Sequence, residues 1–207
     1  MEVMKLEQAF EFFSKEKKRK FDQTIELIVN LKKFDLKKNS INVFIILPHK
    51  IKDKKICAFI DSQSNIVDTI PKAAFQKYKD KKDLKNLVKN YDFFIASEKN
   101  MTSVATTFGR VLGPAGKMPS PKLGIIINEN DDEIKKILDK INRSIKINTK
   151  DSSVKIPIGK YSMERQKIID NIKSAYISIL NELPNGKENV KNIMVKLTMG
   201  KPIKIEI

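Results

Sequence analysis

The chain has 207 residues, enough for one large domain or two small ones, and its charge is strongly unbalanced. Lys and Arg number 41 against 25 Asp and Glu, which gives a net charge of +16 and a pI near 9.7. Because such an excess repels itself, we expect an anionic partner, first nucleic acid and second a membrane surface. Cys57 is the only cysteine and His49 the only histidine, which excludes structural disulfides and a Cys/His zinc cluster.

The remaining composition predicts a cytoplasmic protein. No run of residues is apolar enough to span a membrane, and four glutamates within the first 16 residues argue against a signal or transit peptide. Only four of the basic residues are Arg. Lysine acts as a point charge, so this surface is better suited to recognising a nucleic-acid backbone than to reading base edges.

The first fifty residues predict a helix and two strands. Residues 3–13 place Val3, Leu6, Phe10 and Phe13 on one helical face, and the basic segment "KEKKRK" (15–20) follows. Residues 21–31 alternate, with Ile25, Leu27 and Val29 opposite Thr24, Glu26 and Ile28, as in a strand with one buried face. Residues 41–48 predict a second strand, which we expect to pair antiparallel with the first across the polar loop 33–40.

The middle of the chain alternates short apolar strands with helices. The continuous apolar runs at 56–60 and 91–97 predict buried parallel strands. Weaker patterns predict strands at 66–69 and 124–128 and helices at 71–77, 81–89, 100–108 and 130–142. This alternation is typical of a doubly wound α/β unit over roughly 55–143.

After residue 144 the strand pattern returns. Strands are predicted at 144–149, 153–159 and within 193–207, with a helix at 163–181 and a loop at 183–192. The simplest fold is therefore α/β with two domains. A split α+β outer domain, an antiparallel sheet with helices, takes 1–52 and 145–207, and a Rossmann-like βαβ inner domain is inserted at 53–144. The two chain crossings predict a hinge between the domains.

The stretch "GRVLGPAGKMPSP" (109–121) looks at first like a phosphate-binding loop. Counting back from Gly116 and Lys117, the first glycine of such a loop would be Val111, and the hydroxyl residue that holds magnesium would be Met118. Pro114 also removes a backbone donor. The spacing therefore argues against a nucleotide site.

The residues offer no catalytic constellation or cofactor site. His49 has no Ser or Cys partner near it in sequence, and Cys57 opens a buried strand and behaves as a small hydrophobe. Asp131 and Asp132 begin a helix, where acidic residues are expected, and no G-x-G-x-x-G follows a strand. We therefore expect neither an enzyme, nor a cofactor, nor a metal.

RNA binding has more support. Phe21 follows "KKRK" directly, so its ring can stack on a base while the lysines hold phosphates; a core position for Phe21 is an equal alternative. In "VKLTMGK", Gly200 allows close approach of the backbone, Thr198 offers a hydroxyl and Met199 a flexible apolar surface. A plain strand that ends in a turn is the alternative there.

Short motifs along nearly the whole chain resemble the L-one family of large-subunit ribosomal proteins, in its archaeal form. The loop 109–121 fits the family signature Gly-x-x-Leu-Gly-Pro-x-Gly-x-Met-Pro, although Ala115 stands where Arg is usual. A second departure lies near the end of the chain, where Lys201 separates Gly200 from Pro202 and the family usually has Gly-Pro. The other similar stretches are "KFDQTIEL" (20–27), "LPH" (47–49), "YDFFIAS" (91–97), "INTKD" (147–151), "IGKYSM" (158–163), "DNI" (170–172) and "VKLTMG" (195–200).

The resemblance implies a structural protein of the mobile side stalk that binds a folded region of large-subunit rRNA. It also implies a part in moving and releasing exit-site tRNA, repression of the protein's own mRNA, and a monomer when free. The implied RNA-binding residues lie in the outer domain: Lys20, Phe21, Thr24, Glu26, Gly159, Lys160, Ser162, Lys196, Thr198, Met199 and Gly200. Glu26 repels phosphate, but it can accept a hydrogen bond from a ribose 2′-hydroxyl or a guanine amino group.

Three hypotheses follow from the sequence. The first is a structural rRNA-binding protein that also acts as a repressor. The second is a free translational repressor or RNA chaperone, and the third is a phosphate-using enzyme built on the inner domain. Co-sedimentation with ribosomes separates the first two, and ATP turnover would support only the third.

Overall fold

The computed structural model describes residues 4–16, 19–35, 41–78, 80–127, 129–149 and 151–206, and it has the mixed α/β class predicted. In chain order the elements are β1 (Met4–Lys5), α1 (Leu6–Lys15), β2 (Thr24–Leu31), β3 (Asn42–Ile46), β4 (Ile56–Phe59), β5 (Asp68–Thr69), α2 (Lys81–Asn90), β6 (Phe93–Ser97), α3 (Met101–Leu112), β7 (Ile125–Ile126), α4 (Asp131–Arg143), β8 (Ser144–Asn148), β9 (Ser153–Lys160), α5 (Arg165–Glu182), β10 (Val190–Leu197) and β11 (Ile203–Glu206). Short 3-10 helices lie at Lys72–Tyr78, Glu98–Asn100 and Gly186–Asn189.

The chain divides into two compact units. The split unit comprises residues 1–51 and 143–207, and the inserted unit comprises residues 52–142. Several predicted features extend outside the described residues: Val3 of the first helix, Lys17 and Lys18 of the basic segment, and residues 36–40 of the polar loop. No helix in the described part of the chain is long and apolar enough to cross a membrane.

The split unit is built on a five-stranded sheet in the order β1-β11-β10-β2-β9. All neighbours are antiparallel except β1 and β11, which are parallel. The alternation predicted for β2 is confirmed, because Ile25, Leu27 and Val29 are fully buried. They share one core with Phe10 and Phe13 of α1 and with the apolar face of α5, so both helices pack on the same side of the sheet.

The predicted pairing of the first two long strands is wrong. β2 pairs with β10 on one side and with β9 on the other, so both of its edges are occupied. β3 pairs instead with β8 as a separate two-stranded antiparallel sheet. Adjacency in sequence suggested the pairing, but a strand with both edges hydrogen-bonded to distant strands has no edge left for its neighbour in the chain.

The inserted unit has a four-stranded parallel sheet in the order β5-β4-β6-β7. The apolar runs predicted as buried strands are confirmed, because all residues of β4 and β6 are buried. Cys57, Phe59 and Phe94 pack against α2 and α3 in one cluster. Ala58 and Ile95 alternate with them and are also fully buried, as expected of a parallel sheet covered on both faces.

The Gly/Pro loop proves to be a helix terminator. Gly116 has a positive φ of 67° and donates its N–H to Gly113 O, while Lys117 N–H donates to Leu112 O. These two bonds form a Schellman cap that ends α3, with Gly116 at the position that favours glycine. The side chain of Lys117 donates to Val88 O and Tyr91 O, both at 2.7 Å, and so caps the C-terminal end of α2.

Candidate nucleic-acid interface

The ends of β2, β9 and β10 bring three separated stretches of sequence side by side. Thr24 lies opposite Lys160, and Glu26 lies opposite Lys196. The turn that contains Thr198, Met199 and Gly200 follows β10 directly. The residues that the family resemblance singled out therefore meet at one end of the sheet in the split unit.

Thr198 ties the β10 turn to the start of β2. Its hydroxyl accepts a hydrogen bond from Thr24 N–H at 3.0 Å and donates one to Thr24 O at 3.1 Å. Its backbone N–H donates to the same carbonyl at 3.0 Å. The hydroxyl proton is therefore used within the protein, and the role of Thr198 in this structure is to hold the surface rather than to offer a free hydroxyl.

Gln23 links the same turn to the segment after β9, and sequence reasoning missed it. Its side chain is buried, 8% exposed, and its Oε1 accepts a hydrogen bond from Met199 N–H at 3.2 Å. Its backbone oxygen accepts from Tyr161 N–H at 2.8 Å. One residue thus fixes the backbone of both Met199 and Tyr161, whose side chains point into solvent.

Asp22 makes a second set of links on the exposed side. Its carboxylate accepts hydrogen bonds from the Ser162 hydroxyl at 2.8 Å and from Ser162 N–H at 3.2 Å. Its backbone oxygen accepts from Lys160 Nζ at 3.3 Å. Asp22 was also missed from sequence, and it orders two of the predicted residues, Lys160 and Ser162.

Three large apolar side chains project from this scaffold. Phe21 is 53% exposed, Tyr161 is 43% exposed and Met199 is 60% exposed, so the structure favours the surface alternative for Phe21 over a core position. Exposed rings and thioethers are typical of binding surfaces. Phe21 and Tyr161 also border a cavity of about 230 Å³, lined by Phe13, Ser14, Glu16, Arg19, Phe21, Asp22, Gln23, Tyr161 and Leu197.

The two glycines of the site face the protein rather than a ligand. A Cβ on Gly159 would lie 3.2 Å from both Ile168 Cγ1 and Met163 Sδ, so glycine lets β9 pack closely against α5. A Cβ on Gly200 would lie 2.5 Å from a carboxylate oxygen of Glu16, and that carboxylate also accepts a hydrogen bond from Lys201 N–H. Gly200 thus leaves room for the Glu16 carboxylate, while its predicted role in letting RNA approach stays a prediction.

The charges around the site are mixed but mostly basic. Lys196 Nζ lies 4.0 Å from Glu26 Oε2, which offsets the negative charge that made Glu26 unusual for an RNA surface. Arg19, Lys20 and Lys201 are exposed around the rim. The arrangement combines an apolar platform with cations at its edge, which suits a stacked base beside phosphates.

The residues considered for catalysis have structural roles. His49 N–H donates to Asn171 Oδ1 at 2.9 Å, and its Nε2 lies 3.5 Å from Asp170. Burial raises the pKa of the Cys57 thiol to about 12, with Asp68 adding to the shift, so the thiol is a poor nucleophile. Within the described ranges no group of His, Cys, Asp and Glu could hold a metal.

A cavity of about 710 Å³ lies in the inserted unit, near the start of β4 and β6. Burial lowers the pKa of Lys54, on its wall, to about 8, while Lys54 Nζ donates to Ile141 O at 2.6 Å. Tyr91 OH donates to Asp68 at 2.9 Å, and burial is the main reason that the pKa of Tyr91 is raised to about 12. These contacts stabilise helix and strand ends, and they do not form a pair of nucleophile and base.

Comparisons with known proteins agree with the resemblance read from the motifs. Residues 13–201 match the family described as "Ribosomal protein L1p/L10e family". The chain is 33% identical over 199 residues to the large ribosomal subunit protein uL1 of Nanoarchaeum equitans, which covers 91% of this chain and 93% of that protein. The uL1 protein of Thermoplasma volcanium is 34% identical over 198 residues, covering 90% of this chain and 88% of its own length.

A third relative, the uL1 protein of Thermococcus kodakarensis, is 32% identical over 201 residues, covering 92% of this chain and 91% of its own length. The family match takes in all three sequence stretches that meet at the candidate interface. Proteins of this family are structural and not enzymes. The family resemblance is confirmed, and the chain belongs to the ribosomal protein L1p/L10e family.

Proposed function

We propose that this chain, by its family a structural protein of the large ribosomal subunit, binds the folded stalk region of large-subunit rRNA through its split unit. The observation that carries the proposal is the exposed set Phe21, Tyr161 and Met199, which projects from one hydrogen-bonded scaffold. An apolar platform with a lysine-rich rim matches an unstacked base and its neighbouring phosphates.

The scaffold would contribute to affinity by being ordered before RNA arrives. Gln23, Thr198 and Asp22 hold the three backbone segments through hydrogen bonds that do not involve RNA. Binding therefore loses little backbone entropy at the interface. Within it, Lys20, Lys160 and Lys196 would contact phosphates, and Glu26 would accept a hydrogen bond from a 2′-hydroxyl or a guanine amino group.

The finer roles come from the family resemblance. On the ribosome, a protein held on the mobile stalk would assist the movement and release of exit-site tRNA. When free, as a cytoplasmic monomer, it would repress its own translation by binding a site in its mRNA that mimics the rRNA site. Both roles would use the same RNA-binding face, so rRNA and mRNA would compete for the same residues.

The first experiment is a titration of the whole chain with a transcript of the stalk rRNA region, at two salt concentrations and with excess tRNA as competitor. We expect tight binding that survives the competitor and moderate salt. Binding that disappears with salt or competitor would mean that only the net charge of +16 attracts RNA, and the proposal would fail.

A further inference from the structure

The sheet of the split unit has a second face, opposite the one on which the described helices α1 and α5 pack. The buried residues of α1 and α5 pack in one cluster with the inward residues of the strands, such as Ile25 and Leu27. The outward residues Ile28 and Met194 lie outside that cluster. We call the outward side chains of β2, β9, β10 and β11 the open face.

Strand register places two lysines at opposite ends of one row across the open face. Lys204 on β11 pairs with Met194 on β10, Met194 pairs with Ile28 on β2, and Ile28 pairs with Lys155 on β9. Three strand spacings of about 4.8 Å separate the two lysines, a backbone distance of about 14 Å. Lysine side chains are long, so two of them at that separation can contact phosphates at either edge of a folded RNA segment that lies over the row between them.

The carboxylates of the open face already lie beside cations. Glu26 faces Lys196 in register, and Glu206 faces Lys5 on β1. Lys155 and Lys204 instead face apolar residues. Neither of them makes an ion pair with a carboxylate in the described part of the chain. The row from Lys204 to Lys155 therefore carries positive charge that no carboxylate among the described residues neutralises by an ion pair.

The chemistry of the open face suits a nucleic-acid backbone better than bases or a protein. None of the outward residues described on β2, β9, β10 and β11 is aromatic, so bases would have no ring to stack on. Ile28, at the centre, is only 8% exposed and offers little apolar surface to a protein. The next polar row, Asn30 and Asn192, joins its amides at 2.6 Å and keeps N–H and C=O groups that can meet ribose hydroxyls.

The open face is also continuous with the proposed rRNA site. Glu26 and Lys196 belong to both, and the row from Lys204 to Lys155 lies two residues further along β2 and β10. Two residues of strand advance about 7 Å, close to the separation of successive phosphates along an RNA strand. A folded RNA docked at the strand ends would therefore extend its backbone over this row.

We propose that the open face is a second contact area for the same folded RNA, and that Lys155 and Lys204 bind its sugar–phosphate backbone. The inference rests on the proposed rRNA-binding function and adds a region that the motif residues do not include. Two parts of one sheet would then have different roles in binding. The strand ends with Phe21 and Met199 select the RNA, and the open face adds affinity that does not depend on sequence.

The test compares the whole chain with the double variant Lys155→Gln/Lys204→Gln in titrations with the stalk rRNA transcript over a range of salt. We expect affinity to fall at least about 10-fold near 0.1 M salt. The slope of log K against log salt should also flatten by about one for each phosphate that the variant no longer binds. The matched control is Lys173→Gln/Lys187→Gln, which removes the same charge from two exposed lysines outside the sheet.

Each outcome decides the proposal. A loss confined to the open-face variant, with binding recovered in Lys155→Arg/Lys204→Arg, supports it. Equal losses in both double variants would show a net-charge effect, and unchanged binding by the open-face variant would show no contact; either result overturns it. If the unmodified chain does not discriminate the transcript from tRNA, the proposed rRNA function fails first, and this inference fails with it. Thermal unfolding midpoints confirm that the variants are folded.

Discussion

Phe21 and Met199 carry the sharpest prediction at the scale of single residues. Because they are 53% and 60% exposed, truncating either one removes surface from the candidate interface without opening a core cavity. Phe21→Ala and Met199→Ala should each weaken binding to the stalk rRNA by about 1–3 kcal/mol. This is the usual contribution of an aromatic ring on which a base stacks, and we expect the same range for the flexible thioether of Met199. Binding titrations of the three proteins measure the difference.

Phe12→Ala is the matched control for these variants. Phe12 is also an exposed phenylalanine, 41% accessible, but it lies on α1 and outside the candidate interface. It should leave RNA affinity within about twofold of the unmodified chain, as expected of a surface substitution that touches no ligand. If Phe12→Ala and Phe21→Ala weaken binding equally, exposed apolar area and not the site would explain the effect.

Gln23 gives a prediction that separates scaffold from contact surface. Gln23→Met keeps the approximate side-chain size but removes the Oε1 that accepts the hydrogen bond from Met199 N–H. The variant should lower the free energy of unfolding by about 1–3 kcal/mol, because it leaves a partly buried donor unsatisfied. It should also weaken RNA binding, because the backbone of Met199 is no longer held.

Urea titration and RNA titration of the Gln23 variant test the two effects separately. Gln8→Met is the control, since Gln8 is exposed on α1 and its Oε1 accepts a hydrogen bond from Lys5 N–H, three residues away. A Gln23 variant that unfolds and binds like the unmodified chain would remove Gln23 from the scaffold.

At this scale the sequence singled out the exposed residues of the candidate interface better than the residues that hold them in place. Motif resemblance pointed to Phe21 and Met199, and the structure finds both exposed. Gln23 and Asp22 lie in the similar stretch 20–27, but nothing in the sequence indicated their role in holding the site. Their bonds to Met199 and Ser162 span 176 and 140 residues of chain, and no local periodicity reports a contact of that range.

At the scale of elements, we expect a substitution in the Gly/Pro loop to lower stability without weakening RNA binding. Lys117→Met keeps the aliphatic stem but removes the ammonium group that caps the C-terminal end of α2. We expect the free energy of unfolding to fall by about 1.5–3 kcal/mol, the range for hydrogen bonds to charged groups, and rRNA affinity to stay unchanged. Lys122→Met, an exposed lysine nearby, is the control for stability. A loss of rRNA affinity with normal stability would instead indicate that the loop contacts RNA.

The buried thiol of Cys57 on β4 should make the free energy of unfolding depend on pH. Burial raises the pKa of Cys57 from 9.0 to about 12, so above pH 9 the unfolded chain releases a proton that the folded chain keeps. The unfolded state then binds fewer protons, and the free energy of unfolding falls as pH rises from 9 towards 12. Below pH 9 both states keep the proton and this contribution is flat.

Cys57→Ala isolates the thiol from other groups that titrate in the same range, such as Lys54. Urea titrations of both proteins at pH 8 and pH 10 give the two pH dependences. Stability should fall more steeply with pH in the unmodified chain than in the variant, after the constant offset for the removed side-chain packing is subtracted. Parallel pH dependences would mean that the folded thiol titrates at its ordinary pKa.

The strands show which features of the fold the sequence patterns predict and which they do not. Continuous apolar runs located β4 and β6, because a strand buried on both faces is apolar along nearly its whole length. The partner of β2 was wrong, because alternation fixes which face is buried but not which strand lies beside each edge. The predicted loop 183–192 also ended too late, since β10 begins at Val190 with an irregular register.

At the scale of the whole molecule, strand pairing within the split unit brings together the two chain segments between which residues 52–142 are inserted. β3 and β8 pair antiparallel with Ile46 opposite Ser144, and Leu47 N–H donates to Arg143 O at 2.9 Å. The chain therefore leaves and re-enters the split unit at adjacent positions, as at the open end of a hairpin. Every described residue of its core cluster belongs to the split unit. These features suggest that the split unit can fold without the inserted one.

Replacing residues 52–142 with a flexible linker of about six residues should therefore give a folded protein that keeps specific rRNA binding, since such a linker spans up to about 20 Å. Every residue proposed to contact RNA lies in the retained part, so we expect an affinity within about threefold of the intact chain. Circular dichroism and thermal unfolding report the fold, titration against excess tRNA reports specificity, and Phe21→Ala in the shortened chain is the control for the site. A shortened chain that folds but binds the stalk rRNA more than about tenfold weaker would place essential contacts in the inserted unit and contradict the proposed interface.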